Sequence, residues 1–211
     1  SNYTYQWTKD NINLTTETKD FLNVNAVGLY TVNVTSPFGC SRIRTIKVTA
    51  SDIAHLQNIT VVDLANTNTV TVNVTGQGNY EYSLDEPNGP FQLSNFFDNV
   101  AAGIHEVYIN DSNGCGTISK TIAVLGLPKF FTPNGDGYND YWNLKGANKD
   151  FNSTSLIYIF DRYGKLLKKI NPSDLGWDGT FNGHPLPSDD YWFTVKLEDG
   201  REVKGHFSLK R

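Results

Sequence analysis

The chain has no methionine, and only two cysteines and four histidines among its 211 residues. With no Met even at position 1, the sequence predicts a piece of a longer protein, and no leader segment is there to be read. Two cysteines, Cys40 and Cys115, exclude a disulfide framework and a clustered thiolate metal site. No apolar run approaches the roughly 20 residues that a membrane-crossing helix needs. Basic and acidic side chains number 18 and 22, a net charge of −4, so there is no basic footprint for nucleic acid. His184 and His206 have no partners at metal-ligand spacing. Ser173, Asp174 and His184 make no triad that sequence supports. Asp189 and Asp190 would point to opposite faces of a strand, so they are expected in a solvated turn rather than as paired carboxylates. No catalytic constellation is found, and the expectation is a non-enzyme.

What is abundant is Thr, Val, Tyr, Phe, Asn and Gly, which predicts an all-β chain. Residues 4–40 align without a gap onto residues 79–115, an offset of 75. Thr4-Tyr-Gln-Trp-Thr-Lys-Asp10 matches Asn79-Tyr-Glu-Tyr-Ser-Leu-Asp85, and Phe38-Gly-Cys40 matches Asn113-Gly-Cys115. Fixed-period similarity of this kind means tandem copies of one structural unit. Each copy reads as a small immunoglobulin-like sandwich. Gly28-Leu-Tyr30-Thr-Val32 resembles a tyrosine-corner strand, with Val32 where an antibody domain carries Cys. The cysteines share one repeat position and are expected as small buried hydrophobes. The second copy has leading strands at residues 58–63 and 69–74 that the first lacks, so residues 1–50 are expected to be a truncated repeat and 51–126 a complete one. More β-domains are expected upstream.

Residues 127–211 have a different rhythm and a different charge, 12 basic against 11 acidic where residues 1–126 carry 6 against 11. Strands are expected at residues 155–161, 165–170, 190–197 and 202–210, with the 155–161 strand central and a type I′ hairpin at Asp199-Gly200. The module opens on Thr132-Pro-Asn-Gly-Asp-Gly-Tyr-Asn-Asp-Tyr-Trp142. Pro133, Gly135 and Gly137 preclude regular structure, and Asn134, Asp136, Asn139 and Asp140 favour Asx-turns. Asn134, Asp136 and Asp140 fall at positions 1, 3 and 7 of a calcium-loop pattern. Tyr138 at position 5 and the missing bidentate Glu depart from it. The loop is therefore read as self-bonded, with Ca2+ as the alternative and no other cofactor expected. Trp177 is read chiefly as packing over its own core, with a partner anchor as the alternative.

Two resemblances follow from these residues. The stretch Tyr80-Glu-Tyr-Ser-Leu-Asp85, with Ala102-Gly103-Ile-His-Glu-Val-Tyr-Ile-Asn-Asp111-Ser-Asn-Gly-Cys115, resembles the repeats of large surface adhesins of gliding Bacteroidetes, with His105 where Tyr is usual. Residues 130–211 resemble the gliding-motility-associated C-terminal domain, the type B sorting domain of the type IX secretion system. The entry motif is Thr132, Pro133, Asn134, Gly135, Asp136, Gly137, Asn139 and Asp140. Asp161, Arg162 and Gly164 carry the central strand-turn, Trp177, Asp178 and Gly179 the middle, and Lys204 and Gly205 the close. The resemblance implies a folded export signal that performs no chemistry. It also implies passage across the outer membrane by the type IX machinery, and retention on the cell surface through an outer-membrane β-barrel anchoring protein. A route to docking is the final hairpin, whose outer strand is expected as a free sheet edge, with Lys196, Lys204, Lys210 and Arg211 adding charge and orientation. The other readings are the tail of a secreted enzyme and a carbohydrate-binding sandwich with Trp142, Trp177 and Trp192 as sugar platforms.

Overall fold

The computed structural model describes residues 3–211, which fold into strands and turns with no helix among them. The first four strands are β1 (Thr4–Lys9), β2 (Ile12–Asn13), β3 (Gly28–Thr35) and β4 (Ser41–Val48), in one sheet of order β2-β1-β3-β4. Alternation buries Trp7, Tyr30 and Val32 on one face. Neither of the two hydrophobic cores includes a residue of these strands. Ile43 and Ile46 of β4 accordingly stay 67% and 44% exposed.

The next six strands are β5 (His55–Val62), β6 (Thr69–Thr75), β7 (Tyr80–Leu84), β8 (Phe96–Phe97), β9 (Gly103–Asp111) and β10 (Gly116–Val124). They form two sheets, β5-β6-β8 and β10-β9-β7, with Val70 and Val72 of one and Val107 and Ile109 of the other in a shared core. The sequence repeat is not matched by identical pairing. Trp7 faces Val32 across β1–β3, whereas the equivalent Tyr82 faces Ile109 rather than Val107. A two-residue slip leaves every side chain on its own face, so it costs the core nothing and leaves no trace in the hydrophobic pattern.

The corner seen in sequence is present three times. The Tyr30 hydroxyl donates to the Ala26 carbonyl oxygen at 3.0 Å. His105, where Tyr was expected, sets Nε2 2.8 Å from the equivalent carbonyl of Ala101. The Tyr191 hydroxyl donates to the Pro187 carbonyl oxygen at 2.9 Å, so the terminal module makes the same bond at the start of the Asp189–Lys196 strand.

Both cysteines are exposed, which corrects the expectation that they fill core space. What their position supplies is a backbone N–H at a tight turn. Ser36 Oγ accepts it from Cys40 at 3.2 Å, and Asp111 Oδ2 accepts it from Cys115 at 3.1 Å. Asp111 is itself buried. Burial alone would raise its carboxyl, but hydrogen bonds from the Ser51 hydroxyl and the Asn79 and Cys115 N–H groups outweigh that and hold it well below the usual range.

The terminal module has β11 (Phe130–Phe131), β12 (Leu156–Phe160), β13 (Leu166–Ile170), β14 (Thr180–Phe181), β15 (His184–Pro185), β16 (Asp189–Lys196) and β17 (Glu202–Leu209). Its main sheet runs β11-β17-β16-β12-β13, with β14–β15 as a separate hairpin. β12 is interior, as expected, but the middle place belongs to β16. Ile157, Ile159, Tyr191, Phe193, Val195, Phe207 and Leu209 turn one face of this sheet toward Trp142 and Trp177. Leu125 lies in the same core, 1% exposed, although it precedes residue 127.

Three local expectations are corrected. Only Gly200 of the Asp199-Gly200 pair has positive φ (+88°), so the hairpin is not type I′. The Gly200 N–H donates to the Leu197 carbonyl oxygen and Gly200 takes the left-handed position after the turn. Asp189 and Asp190 open β16 instead of forming a turn, since each finds a partner: Arg162 Nη2 at 2.5 Å and Ser208 Oγ at 2.5 Å. The last strand is not a free edge throughout. β11 lies parallel beside it at Ser208 and Leu209, because the chain entering the module runs back along its own end.

Candidate functional site

The entry loop is a closed circuit of hydrogen bonds. Asp140 Oδ1 accepts the N–H groups of Asn134 (3.0 Å) and Gly135 (2.6 Å), and Oδ2 that of Gly137 (2.8 Å). Asp136 Oδ1 accepts the Tyr138 N–H at 2.8 Å, and Asn134 Nδ2 donates to Asp136 Oδ2 at 2.7 Å. The Asn139 carbonyl takes the Thr132 N–H at 2.8 Å, which ties the two ends together. Gly135 (φ +78°) and Gly137 (φ +89°) let consecutive N–H groups turn inward toward one carboxylate. The N–H groups of Gly135 and Gly137 hold the Asp140 carboxyl below its usual range. All four carboxylate oxygens of Asp136 and Asp140 thus face N–H donors. Pro133 follows Thr132 at the outer bend, and the nearby Tyr138 is 77% exposed.

Behind the loop, two tryptophans join their backbones. Trp142 and Trp177 exchange N–H···O=C bonds of 2.9 Å in each direction. Both side chains are wholly buried, and each indole N–H is satisfied, by Pro128 O and Thr180 O at 2.8 Å. Trp142 stacks on Phe207 with centroids 3.9 Å apart, and Trp177 meets Tyr191 edge-on at 5.1 Å. Neither can serve as a sugar platform or touch a partner; of the three candidates only Trp192 is accessible, at 42%. The flanking turn explains why Trp177 is interior. Asp178 Oδ1 accepts the Thr180 N–H and hydroxyl (3.0 and 2.8 Å). A Cβ on Gly179 would lie 2.6 Å from Leu209.

The other sequence-selected residues divide into interior supports and surface groups. Asp161 Oδ1 accepts the Tyr163 and Lys165 N–H groups, both at 2.9 Å, and Gly164 closes that turn at φ +78°. Arg162 is tied to Asp189. A Cβ on Gly205 would sit 2.8 Å from the Phe193 ring, so the bare backbone there is what lets that ring lie flat in the core. Arg211 folds back: its N–H bonds Ser188 Oγ (3.0 Å), and its guanidinium reaches Leu186 O (3.1 Å) and Gly179 O (3.3 Å). The residue itself stays exposed. Lys210 lies 4.7 Å from the Phe130 ring centroid, Lys204 pairs with Glu202 at 3.0 Å, and Lys196 is exposed.

Ser173 Oγ donates to Asn171 Oδ1 at 2.6 Å and Asp174 accepts from the Asn171 N–H, so both belong to a local turn. Among the described residues no three His, Cys, Asp or Glu side chains cluster as metal ligands, and no helix is long and apolar enough to cross a membrane. Sequence reasoning missed the junction to the preceding unit. Asp63 accepts from Arg201 at 2.6 Å and from the Leu125 N–H at 3.2 Å. Gly126 and Lys145 exchange backbone bonds of 3.2 and 2.9 Å.

Residues 125–209 match the CHU_C type IX secretion signal domain, a module that implies a sorting signal on an exported protein and passage across the outer membrane by that machinery. No curated protein matches the chain. Among solved structures, it is similar to the Sidekick-1 immunoglobulin domains 1-4, at 12% identity and a TM-score of 0.27, covering 100% of this chain and 66% of that one. It is also similar to three N-terminal domains of the highly immunogenic outer capsid protein of bacteriophage RB49, at 12% identity and 0.33, with 100% and 88% covered. Latent dimeric PorU from Porphyromonas gingivalis aligns at 12% identity and 0.26, with 91% of this chain and 25% of that chain covered. The chain thus spans just under two thirds of the first of these structures and a quarter of the last.

Proposed function

We propose that this chain is the non-catalytic C-terminal region of a large cell-surface adhesin. Its last domain is read, folded, by the type IX machinery and then held at the surface by an outer-membrane β-barrel protein. The observation that carries the reading is the family match over residues 125–209. The structure supports it with a module whose motif residues mostly build shape: loop circuit, buried tryptophan pair, folded-back Arg211. A signal recognised as a folded surface needs such rigidity more than it needs reactive groups. The division into repeats at 1–50 and 51–126 and a sorting domain at 127–211 belongs to the same proposal, with Leu125 as the last residue of β10's tail to enter the sorting core. The entry loop acts in it as a self-bonded brace, without Ca2+.

The test is a fusion of the whole chain to the C-terminus of a neutral periplasmic reporter in a host with type IX secretion. The reporter is expected on the cell surface, and a version ending at residue 126 in the periplasm. Periplasmic retention of the full fusion, with the chain folded, overturns the reading.

A further inference from the structure

The main sheet of the terminal module stops at β13, and that side is open. Leu166–Ile170 pair with β12 alone. Their backbone groups that point away from β12 take no other hydrogen bond among the described residues. An unpaired row of this kind is a template for another strand. What stands along it is of one sign. Lys169 lies opposite Tyr158 and Lys168 opposite Ile159, hence on opposite faces of the sheet, and Lys165 leads into the strand. Lys165 Nζ sits 4.4 Å from the Phe181 ring centroid and Lys169 Nζ 5.7 Å from that of Tyr158. None of the three lysines makes an ion pair among the described residues. Leu166 and Tyr163 beside them are 48% and 85% exposed.

We propose that β13 is the docking edge of this module, and that it takes an extended acidic strand of the outer-membrane partner, with carboxylates on two consecutive residues, one for each face. The inference rests on the sorting function proposed above and names the partner's chemistry. Strand addition supplies main-chain bonds without sequence preference, and the lysines supply the preference. Lysines on an edge repel a basic strand and the β13 of a second copy, since like charges then face each other, and a neutral strand would cover them without compensating their lost hydration. Only a strand that neutralises both faces gains from the site. The extra residue of the β-bulge, Leu167, leans on the core, so straight pairing is short and charge carries much of the recognition. The opposite edge differs on both counts. β17 is covered by β11 at its end, and its Glu202 and Lys204 neutralise each other.

The probe is a synthetic peptide of alternating Val and Thr with a central Asp-Asp pair, against a twin with Lys-Lys at the centre. Amide NMR of the whole chain should show the acidic peptide shifting signals of residues 165–170 and their β12 neighbours. Affinity should fall about tenfold between low salt and about 0.5 M salt. The K168E/K169E variant should lose the acidic peptide and gain the basic twin, with its melting temperature kept. Equal binding of both peptides, shifts that map to β17, or acidic-peptide binding that survives the double reversal overturns the proposal. In cells, K168E/K169E should leave export intact and release the reporter into the medium instead of holding it at the surface. Normal display of that variant overturns the docking edge and leaves the sorting function standing, whereas failure of the wild-type fusion strikes the sorting function, and the peptide titration then decides the edge alone.

Discussion

Arg201 Nη1 donates a 2.6 Å hydrogen bond to Asp63 Oδ1, joining residues 138 positions apart. Asp63 directly follows β5 of the repeat unit, and Arg201 belongs to the last hairpin of the sorting module. The Asp63 side chain is 6% exposed, and its other oxygen takes the Leu125 N–H. Removing Arg201 therefore leaves a nearly buried carboxylate with one donor. Arg201→Ala should cost about 1–2 kcal/mol, at the lower end because Arg201 is half exposed and solvent screens the pair. The clasp also couples two cores, so denaturant unfolding of the variant should broaden or split into two transitions. A double-mutant cycle with Asp63→Asn measures the coupling, and a value near zero would mean that the ion pair is incidental to the junction.

Asp140 gathers three N–H groups of one loop, one of which, that of Asn134, also reaches the Thr132 carbonyl oxygen. Asp140→Ala should lower the melting temperature more than Asp136→Ala, which loses one backbone N–H bond and the Asn134 amide contact and should cost about 1 kcal/mol. Asn at 140 should recover part of the loss, because one amide oxygen still accepts. If the loop holds itself, neither calcium nor a chelator should move the wild-type melting temperature. A rise on adding calcium would show that the carboxylates exchange their N–H donors for an ion.

Acid should undo the protein through the same groups. The Asp111 and Asp140 carboxyls both sit below their ordinary value of 3.8 in the folded chain. A depressed folded value means that the unfolded chain binds protons first, so the stabilisation is present above pH about 4 and is lost as pH falls through the folded values. Melting temperature should be level from neutral pH to about pH 5 and should drop below about pH 4. Asp111→Asn and Asp140→Asn should each start lower and fall less. Parallel pH profiles for the variants and the wild type would remove both groups from the account.

How much of this was visible in the sequence depends on how local each signal is. The entry loop was legible because Pro133, Gly135, Gly137 and Asp140 act within nine residues of one another. Tyr30 announces its corner because its acceptor, Ala26, lies only four residues before it, and the same spacing from Pro187 to Tyr191 went unread. The cysteines misled because Cys usually signals side-chain burial, whereas here the turn uses the residue's N–H. The Asp199-Gly200 pair satisfies two turn types, and only the observed φ values separate them. The β11 strand over the end of β17, and the Asp63–Arg201 pair, arise from where the chain passes in space, which no periodicity records. The register slip between the repeats was hidden because a shift of two preserves the apolar pattern.

The four tryptophans include three that sequence left open as sugar platforms, and substitution of Trp177 and Trp192 separates the roles. Trp177 has no exposed surface, touches Phe131, Tyr191 and Phe207, and donates its indole N–H to Thr180. Trp177→Ala should cost about 3–5 kcal/mol, the range for deleting a large ring from a packed core. Trp192 stands on the other face of the same sheet, opposite His206 at a centroid distance of 6.4 Å, and is 42% exposed. Trp192→Ala should change stability by less than about 1 kcal/mol. The contrast bears on function as well as folding. If a glycan array with the whole chain gave binding that Trp192→Ala abolished at unchanged melting temperature, the exposed face would be a carbohydrate site in its own right. With no glycan retained by the wild type, Trp192 is an exposed cross-strand aromatic and nothing more, and that is the expected result, because a sugar needs flanking platforms that Trp142 and Trp177, both buried, do not provide.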